Sequence, residues 1–255
     1  MKAILERSMR QSDRYRVMRQ QGASEEEIRA AFNKPTEMTV FTYHGDIDTV
    51  MSPMDSIRYV KSFLRAGFMS MDPRTGAVKA YVGGIDFDHF KYDMVTQGRR
   101  QVGSTIKPFL YALSMANGMS PCDKVRNAPR RFGDWCPRNS SHARYGQMVT
   151  LKWALSMSNN WVSADLMSKI NPQDFLRILR DFGINTYGIY PSIVLCLGPN
   201  EASLSEMVSA YTTFANHGIH TSPMFVSKIE DSDGNVITNF KPRMNEVISE
   251  DGAYK

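Results

Sequence analysis

The chain has 255 residues, of which 42% are hydrophobic and 22% charged, and its formal net charge at pH 7 is +5. These proportions are close to globular averages and exclude a disordered or collagen-like chain. The basic residues are scattered and are not interleaved with aromatic residues, which argues against a nucleic-acid-binding surface. No apolar stretch approaches 18 residues, and the first residues lack the apolar core of a signal peptide, so we find no targeting or membrane-spanning segment in the sequence.

Helical signals dominate the first 33 residues, where Ser24-Glu-Glu-Glu27 is a capping-box signature for a short helix that ends near Phe32. Next come a strand-like alternation and a helical spacing of apolar residues, at 38–43 and 54–65. The clearest β signal follows. Two apolar runs flank the turn sequence Asp-Pro-Arg-Thr-Gly, which predicts a hairpin over residues 68–82.

Beyond this hairpin the pattern becomes mainly helical. Helices are predicted over 104–117, 150–157, 159–169, 172–182 and 203–216, an irregular loop over 120–147, and a last hairpin that turns at 231–235. These elements predict an α+β chain with a helical middle and too few strands for a complete sheet.

Three cysteines, Cys122, Cys136 and Cys196, are too few for a disulfide framework. Whether Cys122 and Cys136 pair in an oxidising compartment is left open. No C-x-x-C or H-E-x-x-H spacing occurs, so the sequence predicts no metal. No organic cofactor is expected either.

The densest conflict of local rules lies at Gly103-Ser104-Thr-Ile-Lys107-Pro108. Gly103 permits a tight entry, and we expect Ser104 to begin a helix whose N-terminal N–H groups face a developing oxyanion. Lys107, on the same helix face, is a candidate base for the Ser104 hydroxyl, because a desolvated lysine can be neutral enough to accept its proton. The alternative is an ordinary N-cap serine. Against it, a cation in the first turn opposes the helix dipole, and a residue before proline is pushed away from helical dihedrals.

A second candidate element is Ser158-Asn-Asn160, which contains the only S-x-N in the chain. A hydroxyl and a carboxamide two residues apart at a helix junction can both point into one cleft, where they relay protons and hold a substrate amide. Taken alone, the element is better interpreted as an N-cap serine followed by a polar turn. Together with Ser104 and Lys107 it predicts a serine acyl-transfer site.

Three separated segments carry a family resemblance. Residues 100–111, Arg-Gln-Val-Gly-Ser-Thr-Ile-Lys-Pro-Phe-Leu-Tyr, closely resemble the first active-site motif of the transpeptidase domain of class A penicillin-binding proteins. Residues 72–84 resemble the first hairpin of that family, and residues 206–216 its late helix. The resemblance extends from about residue 35 to the end, and residues 1–34 are similar to the helical linker segment that follows a glycosyltransferase domain.

The resemblance implies an α+β fold of the penicillin-binding transpeptidase and serine β-lactamase type, with a helical subdomain on an antiparallel sheet. It also implies a D,D-transpeptidase that cross-links peptidoglycan stem peptides through an acyl-enzyme. Ser104 would be the nucleophile, Lys107 the general base, Ser158 the proton relay and Asn160 the ligand of the substrate amide. The implied partners are stem peptides ending in D-Ala-D-Ala, and β-lactams, which mimic them.

The resemblance also sets expectations about the parent protein. It implies a location at the periplasmic face of the cell membrane, with membrane association only through an anchor outside this chain. The remaining candidate partners are a missing C-terminal part and other proteins of cell-wall synthesis. No nucleic-acid partner is expected.

The sequence departs from the family at two places. Val102 stands where many relatives have proline, which should only loosen the entry to the first motif. More seriously, no K-T-G or K-S-G occurs, although the family's third motif should lie on a strand that lines the cleft. We therefore expect a fold that is incomplete at the C-terminus and an impaired activity of this chain alone. Two alternatives stay open: a non-catalytic remnant or interaction module, and a β-lactam sensor or β-lactamase relative.

Overall fold

The computed structural model describes residues 2–255, which divide into two compact units, one ending at Arg65 and the other spanning Ala66–Lys255. The sequence placed a boundary after residue 34, whereas here residues 36–62 pack with the first unit. The interpretation of residues 1–34 as a linker after a glycosyltransferase domain stays a prediction.

The first unit contains four helices and a hairpin among its described residues: α1 (Lys2–Gln11), α2 (Asp13–Gln20), α3 (Glu25–Asn33), β1 (Thr36–Val40), β2 (Ile47–Met51) and α4 (Pro53–Ser62). Its small core consists of Met9, Ile28 and Phe32, with Ile57 of α4 packed against them. The predicted capping box is confirmed, because the Ser24 hydroxyl accepts from the Glu27 N–H while the Glu27 carboxylate accepts from the Ser24 N–H.

The second unit contains the remaining elements. They are β3 (Phe68–Met71), β4 (Val78–Val82), β5 (Arg99–Gln101), a 3₁₀ helix (Gly103–Ile106), α5 (Lys107–Ala116), β6 (Lys124–Arg126), β7 (Met148–Thr150), α6 (Leu151–Ser156), α7 (Asn160–Met167), α8 (Pro172–Asp181), a second 3₁₀ helix (Ile193–Leu197), β8 (Glu201–Ser203), α9 (Leu204–Ala215), β9 (Ile219–Thr221), β10 (Lys228–Glu230), β11 (Val236–Asn239), β12 (Met244–Glu246) and α10 (Glu250–Tyr254).

All strands of the second unit form antiparallel pairs: β3 with β4, β5 with β8, β6 with β7, β9 with β12 and β10 with β11. The predicted hairpins at 68–82 and 231–235 are therefore confirmed. In the described residues every sheet has two strands, which agrees with an α+β architecture that is mainly helical. The region 120–147 is mostly irregular as expected, except that it contributes β6, which is too short to give a periodic pattern.

The main hydrophobic core is built around α5. Seven of the ten residues of this helix are buried, including Phe109, whose ring packs edge-on against Phe182 at 4.8 Å and Tyr211 at 5.3 Å. The helices α6 to α9 supply most of the other buried side chains of this core. Because α5 begins at Lys107, the core surrounds the residue that the sequence predicted to be a base.

Candidate active site

The backbone before Ser104 is held by a close approach of two glycines. The Gly103 N–H donates to the Gly198 carbonyl at 2.9 Å, and the Val102 N–H donates to the Asn200 carbonyl at 3.0 Å. Both glycines have positive φ, +55° and +65°, and a Cβ on Gly198 would lie only 2.1 Å from the Gly103 carbonyl oxygen. Only glycine fits at position 198, so this contact fixes the entry to the Ser104 turn.

Ser104 lies on the 3₁₀ helix and is exposed to solvent. The expectation that Ser104 begins the α-helix is wrong, since α5 starts at Lys107 and no side-chain hydrogen bond caps the 3₁₀ turn. The Ser104 carbonyl instead accepts the Lys107 N–H in the i to i+3 pattern of a 3₁₀ helix. The hydroxyl is therefore not used as a cap, and it stays at the surface.

Lys107 also departs from one local expectation. Its dihedrals are helical, φ −60° and ψ −40°, although proline follows it. The reason is that Pro108 lies in the first turn of α5, where a missing N–H costs no helical hydrogen bond and the fixed φ suits the helix. The expected push away from helical dihedrals at Lys107 is therefore wrong.

The Lys107 side chain is almost fully buried, with 1% of the residue exposed. Its Nζ donates to the Ser158 carbonyl at 2.6 Å, to the Ser158 Oγ at 3.0 Å and to the Asn160 Oδ1 at 2.6 Å. Burial lowers the pKa of Lys107 from 10.5 to about 8, because removal from water disfavours the ammonium form and the three neutral oxygens bring no negative charge to offset it. The buried Cys196 thiol lies on the same side of the core, and burial raises its pKa to about 12.

Ser158 occupies the turn between α6 and α7 with a φ of +49°. This left-handed conformation is unfavourable for a residue with a Cβ, and such strain clusters at functional sites. The interpretation of Ser158 as a helix cap is wrong, because the neighbouring Asn159 caps α7 through its Oδ1 and the Val162 N–H. The turn instead directs both the carbonyl and the hydroxyl of Ser158 at Lys107.

Asn160, the first residue of α7, has both side-chain polar atoms engaged. Its Oδ1 accepts from Lys107, and its Nδ2 donates to the Arg138 carbonyl at 2.7 Å. Its backbone N–H donates to the Asn139 Oδ1, also at 2.7 Å. Asn139 and the Arg138 carbonyl were not found from the sequence, because no spacing rule connects the irregular loop to α7.

The structure thus brings Lys107, Ser158 and Asn160 into one hydrogen-bonded cluster, with Ser104 one 3₁₀ turn before the lysine. Within residues 2–255 no hydrogen bond joins the Ser104 hydroxyl to Lys107. A buried amine of lowered pKa, a hydroxyl in contact with it and an exposed serine nearby are the groups that general-base activation of a serine needs.

The part of the chain that the structure describes holds neither a metal-binding cluster nor a membrane-spanning helix. No group of three or more His, Cys, Asp or Glu side chains is placed to hold a metal ion. Over the same residues no helix is long and apolar enough to cross a membrane. Cys122 and Cys136 are unpaired and exposed.

Comparison with known proteins decides the family. The penicillin binding protein transpeptidase domain model matches residues 66–254, and the penicillin-binding protein middle domain model matches residues 1–64. The chain belongs to the class A penicillin-binding proteins. The resemblance seen in the motifs is thereby confirmed, and the expected fold class with it.

Individual members of the family agree with this assignment. The chain is 34% identical over 186 residues to penicillin-binding protein 1A of Neisseria lactamica and 33% identical over 187 residues to that of Escherichia coli K12, which is 70% and 71% of this chain. These stretches are 23% and 22% of the relatives, so the chain spans about a quarter of their length.

Solved structures of the family show the same fold. Penicillin-binding protein 1A from Haemophilus influenzae superposes with a TM-score of 0.68 at 25% identity, over 74% of this chain and 34% of that one. The penicillin-binding protein PonA1 from Mycobacterium tuberculosis gives a TM-score of 0.62 at 25% identity, over 77% and 56% of the two chains.

Proposed function

We propose that the chain carries the acylation site of a serine D,D-transpeptidase that cross-links peptidoglycan stem peptides, and that β-lactams acylate the same serine. The observation that carries this proposal is the buried Lys107, held by Ser158 and Asn160 one 3₁₀ turn after an exposed Ser104. Family membership supports the chemical class, and the cluster supports this choice of residues within it.

In the proposed reaction the Ser104 Oγ attacks the carbonyl carbon of the penultimate D-Ala. Lys107 takes the hydroxyl proton, directly or through the Ser158 hydroxyl that its Nζ contacts. The C–O ester bond forms, the C–N bond to the terminal D-Ala breaks, and the departing amine takes the proton. An acceptor amine then attacks the ester carbonyl, the new C–N bond forms, the C–O bond to Ser104 breaks, and a proton from the acceptor amine passes through Lys107 to the Ser104 Oγ.

The pKa of Lys107 suits this role. With a pKa of about 8, about a tenth of the lysine is neutral at pH 7, whereas an ordinary lysine is almost wholly protonated. The Asn160 carboxamide uses its oxygen for Lys107 and one N–H for the Arg138 carbonyl, and we assign its second N–H to a substrate amide carbonyl. Ser158 and Asn160 therefore combine proton relay and substrate placement in one turn.

The proposal extends to the protein in its cell. A protein with this site acts where stem peptides are assembled, at the periplasmic face of the membrane. The transpeptidase part is assigned to residues 66–254, and residues 1–64 to the middle domain before it.

The test is covalent labelling of the chain with a fluorescent penicillin, read on a denaturing gel and by intact mass. Labelling is expected to be slow, since no K-T-G occurs in the sequence, and it is therefore followed over long incubation. Ser104→Ala should abolish the label, whereas Ser232→Ala, an exposed serine in the loop between β10 and β11, should leave it unchanged.

Two results would contradict the assignment: a label that survives Ser104→Ala, and a wild-type chain that takes no label. A third measurement separates transfer from hydrolysis. A D-Ala-D-Ala peptide is supplied with and without glycine as acceptor amine, and a transpeptidase gives the glycine-exchanged peptide. An acyl group released only to water would favour a β-lactamase relative instead.

A further inference from the structure

A short stretch of the irregular loop, residues 137–139, contacts the N-terminus of α7. Each of its residues accepts one hydrogen bond there. The Pro137 carbonyl accepts from the Trp161 indole Nε1 at 2.9 Å, the Arg138 carbonyl from the Asn160 Nδ2 at 2.7 Å, and the Asn139 Oδ1 from the Asn160 N–H at 2.7 Å. Together the three bonds form a loop clamp on the start of α7.

The loop clamp determines which atom of Asn160 faces Lys107. The Asn160 Nδ2 is held by the Arg138 carbonyl, so the Oδ1 points at the Lys107 Nζ, 2.6 Å away. A rotated carboxamide would present N–H groups to the ammonium and lose this acceptor. Asn139 secures the same residue from the backbone side, where an N–H at a helix start has no intrahelical partner.

We propose that Asn139 is a positioning residue. It holds Asn160 against Lys107 and so sets how readily the Lys107 amine accepts a proton. The consequence for acylation rests on the proposed function. The effect of Asn139 on the protonation of Lys107 does not rest on it, because that protonation can be measured in the chain without a substrate.

The surroundings of Asn139 permit a clean test. In the described part of the chain its Nδ2 is buried without a hydrogen-bond partner, and its Oδ1 accepts from the Asn160 N–H. A substitution of Asn139 that removes the Oδ1 therefore removes this one bond. Asn139→Asp keeps an oxygen for the Asn160 N–H, whereas Asn139→Leu has similar volume and offers none. A residue that only filled space would tolerate leucine better than a buried aspartate.

The first measurement is a pH titration of the Lys107 side chain by NMR, in chain labelled with ¹³C-lysine and assigned with Lys107→Arg. Hydrogen bonds to a charged group stabilise the charged form, so losing the Asn160 acceptor should lower the titration midpoint. We expect Asn160→Ala and Asn139→Leu to lower the midpoint similarly, by about one pH unit. Asn139→Asp should give a midpoint at or above the wild-type value, since it keeps the bond and adds a negative charge.

A matched control separates positioning from loss of stability. Asn216 is a buried asparagine at the end of α9, whose Nδ2 donates to the Ile219 carbonyl at 3.0 Å. Asn216→Leu should lower the melting temperature as Asn139→Leu does, but leave the Lys107 midpoint unchanged. If Asn139→Leu does not fold, Asn139→Ala replaces it in the same comparison.

The second measurement is the rate of penicillin acylation, which should fall about 10- to 100-fold in Asn139→Leu and recover in Asn139→Asp. A Lys107 midpoint that moves in Asn160→Ala but not in Asn139→Leu would overturn the proposal, and so would equal midpoints in the Leu and Asp variants. If no variant and no wild type is acylated, the proposed function fails while the titration still decides the role of Asn139.

Discussion

The helix α5 is buried over most of its surface, whereas the hairpins of the same unit bury one face, through two methionines of β3, or almost nothing. In α5 the side chains of Phe109 and Leu110 have no exposed surface, and the aromatic contacts of Phe109 reach both α9 and the residue after α8. In the hairpins, Val82 of β4 is 51% exposed and Ile237 of β11 is 66% exposed. Packing around α5 therefore supplies most of the buried apolar surface of the unit, and it encloses Lys107.

The same contrast holds for charge. Lys228 of β10 is exposed and forms an ion pair with Glu230 at 2.6 Å, and such surface pairs contribute little to stability. Lys107 has no carboxylate partner in the described part of the chain, only neutral oxygens within a closed core. A carboxylate would hold the lysine protonated, whereas burial among neutral acceptors brings it close to the neutral form.

The largest expected effect comes from removing the base of the buried cluster. Lys107→Ala should lower the rate of penicillin acylation by about 10²–10⁴, the usual cost of losing a positioned general base. Lys107→Arg should fall equally far, because a guanidinium keeps the charge but does not deprotonate. Stopped labelling reactions on a gel give both rates.

The control for Lys107 is a lysine of the exposed region, so that the comparison between core and hairpin is tested directly. Lys228→Arg should acylate at the wild-type rate. Near-normal acylation in Lys107→Arg would show that only the positive charge at this position matters. The buried Lys107 and the exposed Lys228 would then differ in burial but not in proton transfer.

A smaller effect is expected when packing is removed from the two regions in turn. Phe109→Ala deletes a fully buried ring and should lower the free energy of unfolding by about 3–5 kcal/mol. Ile237→Ala, in the exposed β11, should change it by about 0.5 kcal/mol or less. Urea titration followed by circular dichroism measures both.

The concentration dependence of unfolding keeps this comparison interpretable. A loss well above 1 kcal/mol in Ile237→Ala that disappears on dilution would mean that copies of the chain cover the hairpin in solution. A loss that is independent of concentration would show that the hairpin contributes to the core after all.

Much of this fold could be predicted from local signals. The hairpins at 68–82 and 231–235 followed from their turn residues, and the helices α6 to α9 from periodic apolar positions within a few residues of their observed ends. Of the β1–β2 hairpin only one strand was expected, at 38–43. The sequence placed the candidate catalytic residues at Ser104, Lys107, Ser158 and Asn160. The first two stand out because a lysine in a first helical turn opposes the helix dipole, and the last two because Ser-x-Asn occurs once in the chain. The structure places Lys107, Ser158 and Asn160 in direct contact. Their catalytic roles stay predictions.

What the sequence could not show depends on partners far along the chain. The three-residue strands β5 and β8 are too short for an alternating pattern, and they pair across about a hundred residues. The left-handed Ser158 gives no signal in composition, because its conformation is imposed by its neighbours. Asn139 likewise reads as one more polar loop residue until the backbone of Asn160 is beside it.

The smallest effect, and the most direct measure of how far burial alters Lys107, is the pH dependence of acylation. Its pKa is lowered to about 8, so the neutral fraction should rise from about a tenth at pH 7 to about nine tenths at pH 9. The acylation rate of the wild type should therefore rise about tenfold over this range and then level off, while the residual rate of Lys107→Arg stays flat.

The stability of the fold should depend on the protonation of Lys107 in the same direction as the rate. Between pH 8 and 10.5 the unfolded chain binds a proton that the folded chain has released, so this group makes the fold more stable as pH rises through that window.

The pH dependence is measured as initial rates of acylation, and a buffer blank corrects for hydrolysis of the penicillin. A wild-type rate that is constant from pH 7 to 9, or still rising steeply at pH 10, would show that Lys107 is not desolvated as the closed core around α5 requires, and the distinction between core and hairpin would then be one of packing alone.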